Sequence, residues 1–113
     1  MALGIVCSAD AAQICWVERV ATHNGELRVY MADGNLWPVR TITHIDGTQT
    51  SFERNGDGFF ILKEGESAYL ATSPHDSCTA KAITVEGVLG VKLAANACMN
   101  GKCDTATQFV PAE

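Results

Sequence analysis

Between Glu18 and Met31, apolar and polar side chains alternate on both sides of Asn24-Gly25. Both residues at the break tolerate the positive φ of a type I′ turn, so the stretch reads as a two-residue β-hairpin. Folded on that loop, Thr22 faces Leu27, Val20 faces Val29 and Glu18 faces Met31. The opposite face pairs His23 with Glu26, Ala21 with Arg28 and Arg19 with Tyr30. One face is mostly apolar and the other mostly polar, as a half-buried sheet requires. Glu18 is the misfit. A helix over residues 9–23 is the rival reading, with Ser8 as N-cap and Gly25 just past its end.

The same punctuation recurs along the chain at Asp33-Gly34-Asn35, Asp46-Gly47, Asn55-Gly56-Asp57-Gly58, Gly65, Ser73-Pro74 and Asn100-Gly101. A spacing of about ten residues is the pattern of strands joined by tight turns. The intervening segments are rich in Val, Ile, Thr and aromatics, which suit strands. Strands are expected over 36–45, 58–63, 67–72, 82–86 and 90–94. Pro38 cannot donate to a ladder, so its end of 36–45 is assigned to an edge or a bulge. The stretch VEGVLGVKLAANA competes as a helix near its end, and its two glycines argue against that. The first few residues and the tail VPAE read as loose. The pattern predicts one all-β domain over 1–113, a small antiparallel sandwich or partly open barrel of about seven to nine short strands, with room for one short helix near the N-terminus.

Composition narrows the partners. The 113 residues are 47% apolar and 19% charged, enough to bury a core of modest size. The net charge is −5, and the eight Lys and Arg are spread singly, so no basic stripe invites nucleic acid. No apolar run approaches the ~18 residues of a membrane-spanning helix. MALGIVCSADAA has no positive n-region, and Val6 sits where a lipoprotein signal wants a small residue. On these grounds a cytoplasmic or particle-borne setting is expected over a secreted one.

Residues 53–64, ERNGDGFFILKE, come nearest to spelling out a chemistry. Over the twelve-residue EF-hand loop they place Asn55 at position 3, Asp57 at 5, Gly58 at 6 and Glu64 at 12. That loop works only between two helices. HIDGTQTSF upstream is a poor helix, FFIL reads as strand, and Gly65 follows where the exit helix should run. Turn chemistry accounts for NGDG, and no metal site is expected.

The five cysteines leave several readings open: Cys7, Cys15, Cys78, Cys98 and Cys103. In ACMNGKC, an Asn100-Gly101 loop makes Met99 and Lys102 a hydrogen-bonded pair. Cys98 and Cys103 are then directly opposed in the next, non-hydrogen-bonded pair, with Cα atoms ~4.5 Å apart. A cross-strand disulfide is permitted there, although reduced cysteines also pack as small apolar groups. Zinc held by Cys98 and Cys103 with Cys7 and Cys15, or with Cys78 and a histidine, is a third reading, and neither pair has the usual knuckle spacing.

His75, Asp76 and Cys78 fall within SPHDSC. A thiol nucleophile needs a base within hydrogen-bond reach, and residues so close in sequence meet only if the turn folds back. The plainer reading is a turn before a strand whose cysteine is buried. Trp16 and Trp37 default to the core. Trp37, beside Pro38, is the better candidate for a contact surface. No phosphate loop, nucleophile elbow or cofactor motif appears. The expected function is therefore non-catalytic: a small binding or structural module acting through a protein–protein surface, either an assembly component or an inhibitor-type protein. Its partner would be another protein or a second copy, through the 36–45 edge beside Trp37. A thiol enzyme built on His75, Asp76 and Cys78, and a small-ligand barrel, are the alternatives.

Overall fold

The computed structural model describes residues 14–54 and 56–113. Nine strands follow a 3-10 turn at Ile14–Trp16: β1 (Val17–His23), β2 (Glu26–Met31), β3 (Val39–Thr43), β4 (Gln49–Ser51), β5 (Phe59–Leu62), β6 (Ser67–Ser73), β7 (Asp76–Val85), β8 (Val88–Met99) and β9 (Lys102–Pro111). They form two antiparallel sheets, ordered β1-β2-β5 and β4-β3-β6-β7-β8-β9. The fold is all-β, within the strand number that turn spacing implies.

One core lies between the two sheets. Val17, Val20, Leu27, Val29, Phe60 and Leu62 from the small sheet meet Ile42, Leu70, Ala80, Ala82, Val91 and Leu93 from the large one. The two sheets also join at one seam. The Glu113 N–H donates to Val20 O at 2.9 Å, and Thr22 N–H donates to Glu113 O at 3.4 Å. Arg19 Nε completes the corner with Glu113 Oε1 at 3.1 Å. The tail expected to be loose is therefore tied to β1, and Ala112 N–H bonds to Leu89 O at 2.9 Å.

The first hairpin keeps the register read from its alternation from Arg19↔Tyr30 to His23↔Glu26. Its misfit is resolved by a bulge. Met31 pairs with Val17 instead of Glu18, with the register shifting between Val17 and Arg19. The extra residue turns the carboxylate outward and buries Val17, which avoids an unpaired charge in the core. Residues 17–23 of the rival helix are strand, and 9–13 lie outside the described residues.

The 36–45 segment needs correcting. β3 is no edge, because β4 pairs on one side and β6 on the other. The bulge, the other half of that expectation, is present: Pro38 comes directly before the β3–β6 register shift between Val39 and Thr41, and its carbonyl accepts from Ala71 N–H at 2.8 Å. The strand expected at 82–86 is the end of the longer β7, and 90–94 lies inside β8, which is strand throughout. Between them Glu86-Gly87 turns with both φ positive.

Gly58, which ends NGDG, explains that motif's glycine. Its φ is +79°, and a Cβ there would come within 3.1 Å of the Gly34 Cα. Two backbones cross at that point, and only glycine lets them. β5 follows immediately, inside the calcium-loop match, and a turn and then β6 lie where its exit helix would be needed. Asn55, its third position, lies outside the described residues.

Candidate functional site

A cleft of about 490 Å³ opens on the outer face of the large sheet. Three strands build it. β3 and the residues before it bring Trp37 and Arg40, β6 brings Tyr69, Ala71 and Ser73, and the β6–β7 turn brings His75 and Asp76. Tyr69 and Ala71 share a face because side chains alternate along a strand. Asp76 opens β7, and the His75 N–H is held by Ser73 Oγ at 3.2 Å. The cleft continues as a groove. A second concavity shares Ser73, His75 and Asp76 and reaches Cys98, Met99 and Asn100, and a third runs from Asp76 to Lys102 and Asp104.

Aromatic rings stand at the head of this groove. Tyr69 is 46% exposed. Trp37, half-buried, meets Trp16 edge to face, with ring centroids 5.1 Å apart. Trp16 was expected in the core; instead it is 38% exposed. The cause is local backbone. Cys15 and Trp16 both have φ near +62°, two consecutive non-glycine residues in the left-handed region. Such backbone costs of order 1 kcal/mol or more per residue and persists only where its surroundings fix it. Here a disulfide from Cys15 to Cys78 fixes it, with Cα atoms 5.9 Å apart.

That disulfide also corrects the thiol reading. Cys78 points into the core, 2% exposed, and its sulfur is bonded to Cys15, so it carries no thiolate to act as nucleophile. His75 and Asp76 instead line the outer groove. Cys15 and Cys78 are likewise unavailable as zinc ligands, and Cys7 lies outside the described residues. The second disulfide joins Cys98 to Cys103, whose Cα atoms are 4.0 Å apart, opposite one another in the β8–β9 ladder.

Away from the groove, a polar cluster gathers just past the end of β3. His44 Nδ1 lies 2.8 Å from Glu66 Oε2, and His44 Nε2 lies 2.9 Å from Thr50 Oγ1. Glu66 Oε1 accepts the Lys63 N–H at 2.9 Å. Partial burial acts to raise the Glu66 carboxyl pKa, but the hydrogen bonds from His44 and Lys63 and their charges outweigh it. The pKa is held below the ordinary glutamate value. Every partner is accounted for within the fold, which marks a structural lock.

The groove thus brings together Trp37, His75 and Asp76, which the sequence singled out for separate reasons. It adds Arg40 and Tyr69, which carried no signal of their own, and Trp16 packs against its Trp37. A Cys-Trp pair directly before a strand was the only trace of Trp16, and its meaning depended on knowing the partner of Cys15. Comparisons with protein-family models, curated proteins and solved structures find no match for the chain.

Proposed function

We propose that this domain is a non-catalytic binding module that holds a protein partner in the groove running from Trp37 toward Asp104. One observation carries the reading: Trp16 and Trp37 stand in edge-to-face contact at the head of the groove, held partly exposed by a strained turn and a disulfide. Folding alone gives no reason to maintain two consecutive left-handed residues in order to expose a tryptophan. A rigid aromatic anchor for a partner does. The rings supply contact area at low entropy cost, while Arg40, His75 and Asp76 offer polar groups around them. An extended segment of a partner chain fits the elongated shape. The two disulfides suit work in an oxidising setting such as a particle or cell surface.

The test is selection of binders from a displayed peptide library on the intact, oxidised protein, followed by titration of variants. Trp37→Ala should weaken a selected peptide by about thirtyfold, the scale of a buried aromatic anchor. Trp16→Ala should weaken it by a smaller factor, through loss of support to Trp37. Peptides that bind both variants as well as the wild type would show that the groove is not the binding surface.

A further inference from the structure

The large sheet ends on β9, ten residues from Lys102 to Pro111, and this edge differs from the others. β4 and β5 are three and four residues long. The open side of β1 is met by Glu113. β9 is long and its ladder with β8 runs without a register shift from Met99↔Lys102 to Gly90↔Pro111. Since Asn100-Gly101 is a two-residue loop, the even-numbered residues of β9 exchange hydrogen bonds with β8. The odd ones turn their N–H and C=O groups outward. The seam agrees: Ala112 N–H bonds back to Leu89 O, whereas Glu113 N–H bonds outward to Val20 O. Among the described residues, the outward groups of Cys103, Thr105, Thr107 and Phe109 pair with no other strand.

Natural edges are blunted by proline, lysine, bulges or inward charges. From 103 to 109 this edge has no proline, no lysine and no bulge, and Asp104 is its one charge. Cys98–Cys103 holds its free end in strand geometry. We propose that β9 is a homodimerisation edge, pairing antiparallel with β9 of a second copy about a two-fold axis at Ala106. This surface meets the groove only at the groove's far end, Lys102 and Asp104, and the proposal does not rest on the groove's function.

The register follows from the edge itself. Outward groups must meet outward groups, so odd residues pair with odd. Centring on Ala106 sets Cys103 against Phe109 and Thr105 against Thr107, each twice, for about eight backbone hydrogen bonds. A shift by two residues toward the C-terminus opposes Cys103 to Pro111, which has no N–H to give. A shift the other way opposes Phe109 to Gly101 in the turn. The side chains fit the same register. Thr–Thr and sulfur–aromatic neighbours are favourable across strands. Lys102 falls opposite Val110 and Asp104 opposite Gln108, so no like charges meet. A two-fold pairing of this kind consumes both copies of the edge and closes the assembly at that side.

Sedimentation equilibrium from about 5 to 500 µM is the first measurement, because a dimer held by mass action must dissociate on dilution. A dimer is expected; a monomer across that range overturns the proposal. Thr105→Pro removes an outward N–H and leaves the β8 ladder intact, so it should yield a folded monomer. Thr107→Lys should do the same by placing a charge on the edge, and guards against misfolding of the proline variant. Trp37→Ala should leave the dimer unchanged. A dimer that survives both edge variants overturns the proposal, and one lost only with Trp37→Ala assigns association to the groove instead. Ala106→Cys in a Cys7→Ser background reads the register. Ala106 would face its own copy in a non-hydrogen-bonded pair, where Cα atoms lie close enough for a disulfide. Oxidised covalent dimer from Ala106→Cys, and none from Asp104→Cys, is the expected result; the reverse overturns the register.

Discussion

The hairpins β1–β2 and β8–β9 turn on the same dipeptide and differ in what lies behind it. Asn24-Gly25 has φ of 51° and 81°, and Asn100-Gly101 has 52° and 79°. Both loops set the register of their ladders without a shift at the turn. Behind the first, Val20, Leu27 and Val29 are at most 1% exposed. Behind the second, Ala97, Met99, Lys102 and Asp104 are all exposed, Met99 to 76%. The end of β8–β9 reaches past the core, so no burial holds it. It carries instead a covalent staple, Cys98–Cys103. Turn chemistry fixes which residues face each other, and burial or a crosslink decides whether they stay there.

Three measurements test this contrast. The largest effect should come from Leu27→Ala, which empties a fully buried site behind the first turn. A loss of about 3 kcal/mol is expected, from transfer and cavity terms together. Denaturant unfolding reads it as a lower midpoint at unchanged slope. A loss below about 1 kcal/mol would mean that the first hairpin is held by its turn as the second is.

Replacing Cys98 and Cys103 together by Ala should cost less, at most about 2 kcal/mol for so short a loop. Its signature should be local. Amide exchange should rise between 95 and 106 and stay unchanged at Leu27, Phe60 and Leu93. A fall in the global midpoint as large as that from Leu27→Ala would break the distinction between a packed and a stapled hairpin.

The smallest effect should be the pH dependence of the β5–β6 turn, which follows the Leu62 that pairs with Leu27 of the packed hairpin and where Glu66 ties Lys63 and His44 together. Its carboxyl pKa is lowered in the folded state. The stabilisation is therefore full above the unfolded pKa and is lost as pH falls through the folded one. Melting temperature should fall on acidification below about pH 5, with under about 1 kcal/mol assigned to this group. Glu66→Gln should remove that part of the slope. An unchanged slope in the variant would show that other carboxylates carry the acid sensitivity.

Much of the fold could be read along the chain because its signals are local. Asn-Gly turns, alternation and β-branched content placed the first hairpin residue by residue and set Cys98 opposite Cys103. What escaped depended on partners distant in sequence. The bulge at Val17 answers to a core that the hairpin alone does not contain. The 36–45 segment looked like an edge because Pro38 cannot donate, yet β4 and β6 cover both sides of β3. The tail VPAE looked loose because the strand it meets lies some ninety residues earlier in the chain. In the groove, Trp37 could be picked out beside its proline, but Trp16, packed against it, could not. Its exposure follows from a left-handed backbone that the link from Cys15 to Cys78, 63 residues away, holds in place.

The sequence by itself determined the strand class, the main turns, the face of each residue from Arg19 to Tyr30 and the opposition of one cysteine pair. These rest on φ preferences and a two-residue period, which act over a few bonds. Tertiary structure alone decided the order of strands in the sheets, the pairing of Cys15 with Cys78, the seam at Glu113, and the gathering of Trp37, Tyr69, His75 and Asp76 along one groove with Trp16 against Trp37. Those outcomes come from burying one shared core between two sheets, a requirement met by the whole chain at once and written in no single stretch of it.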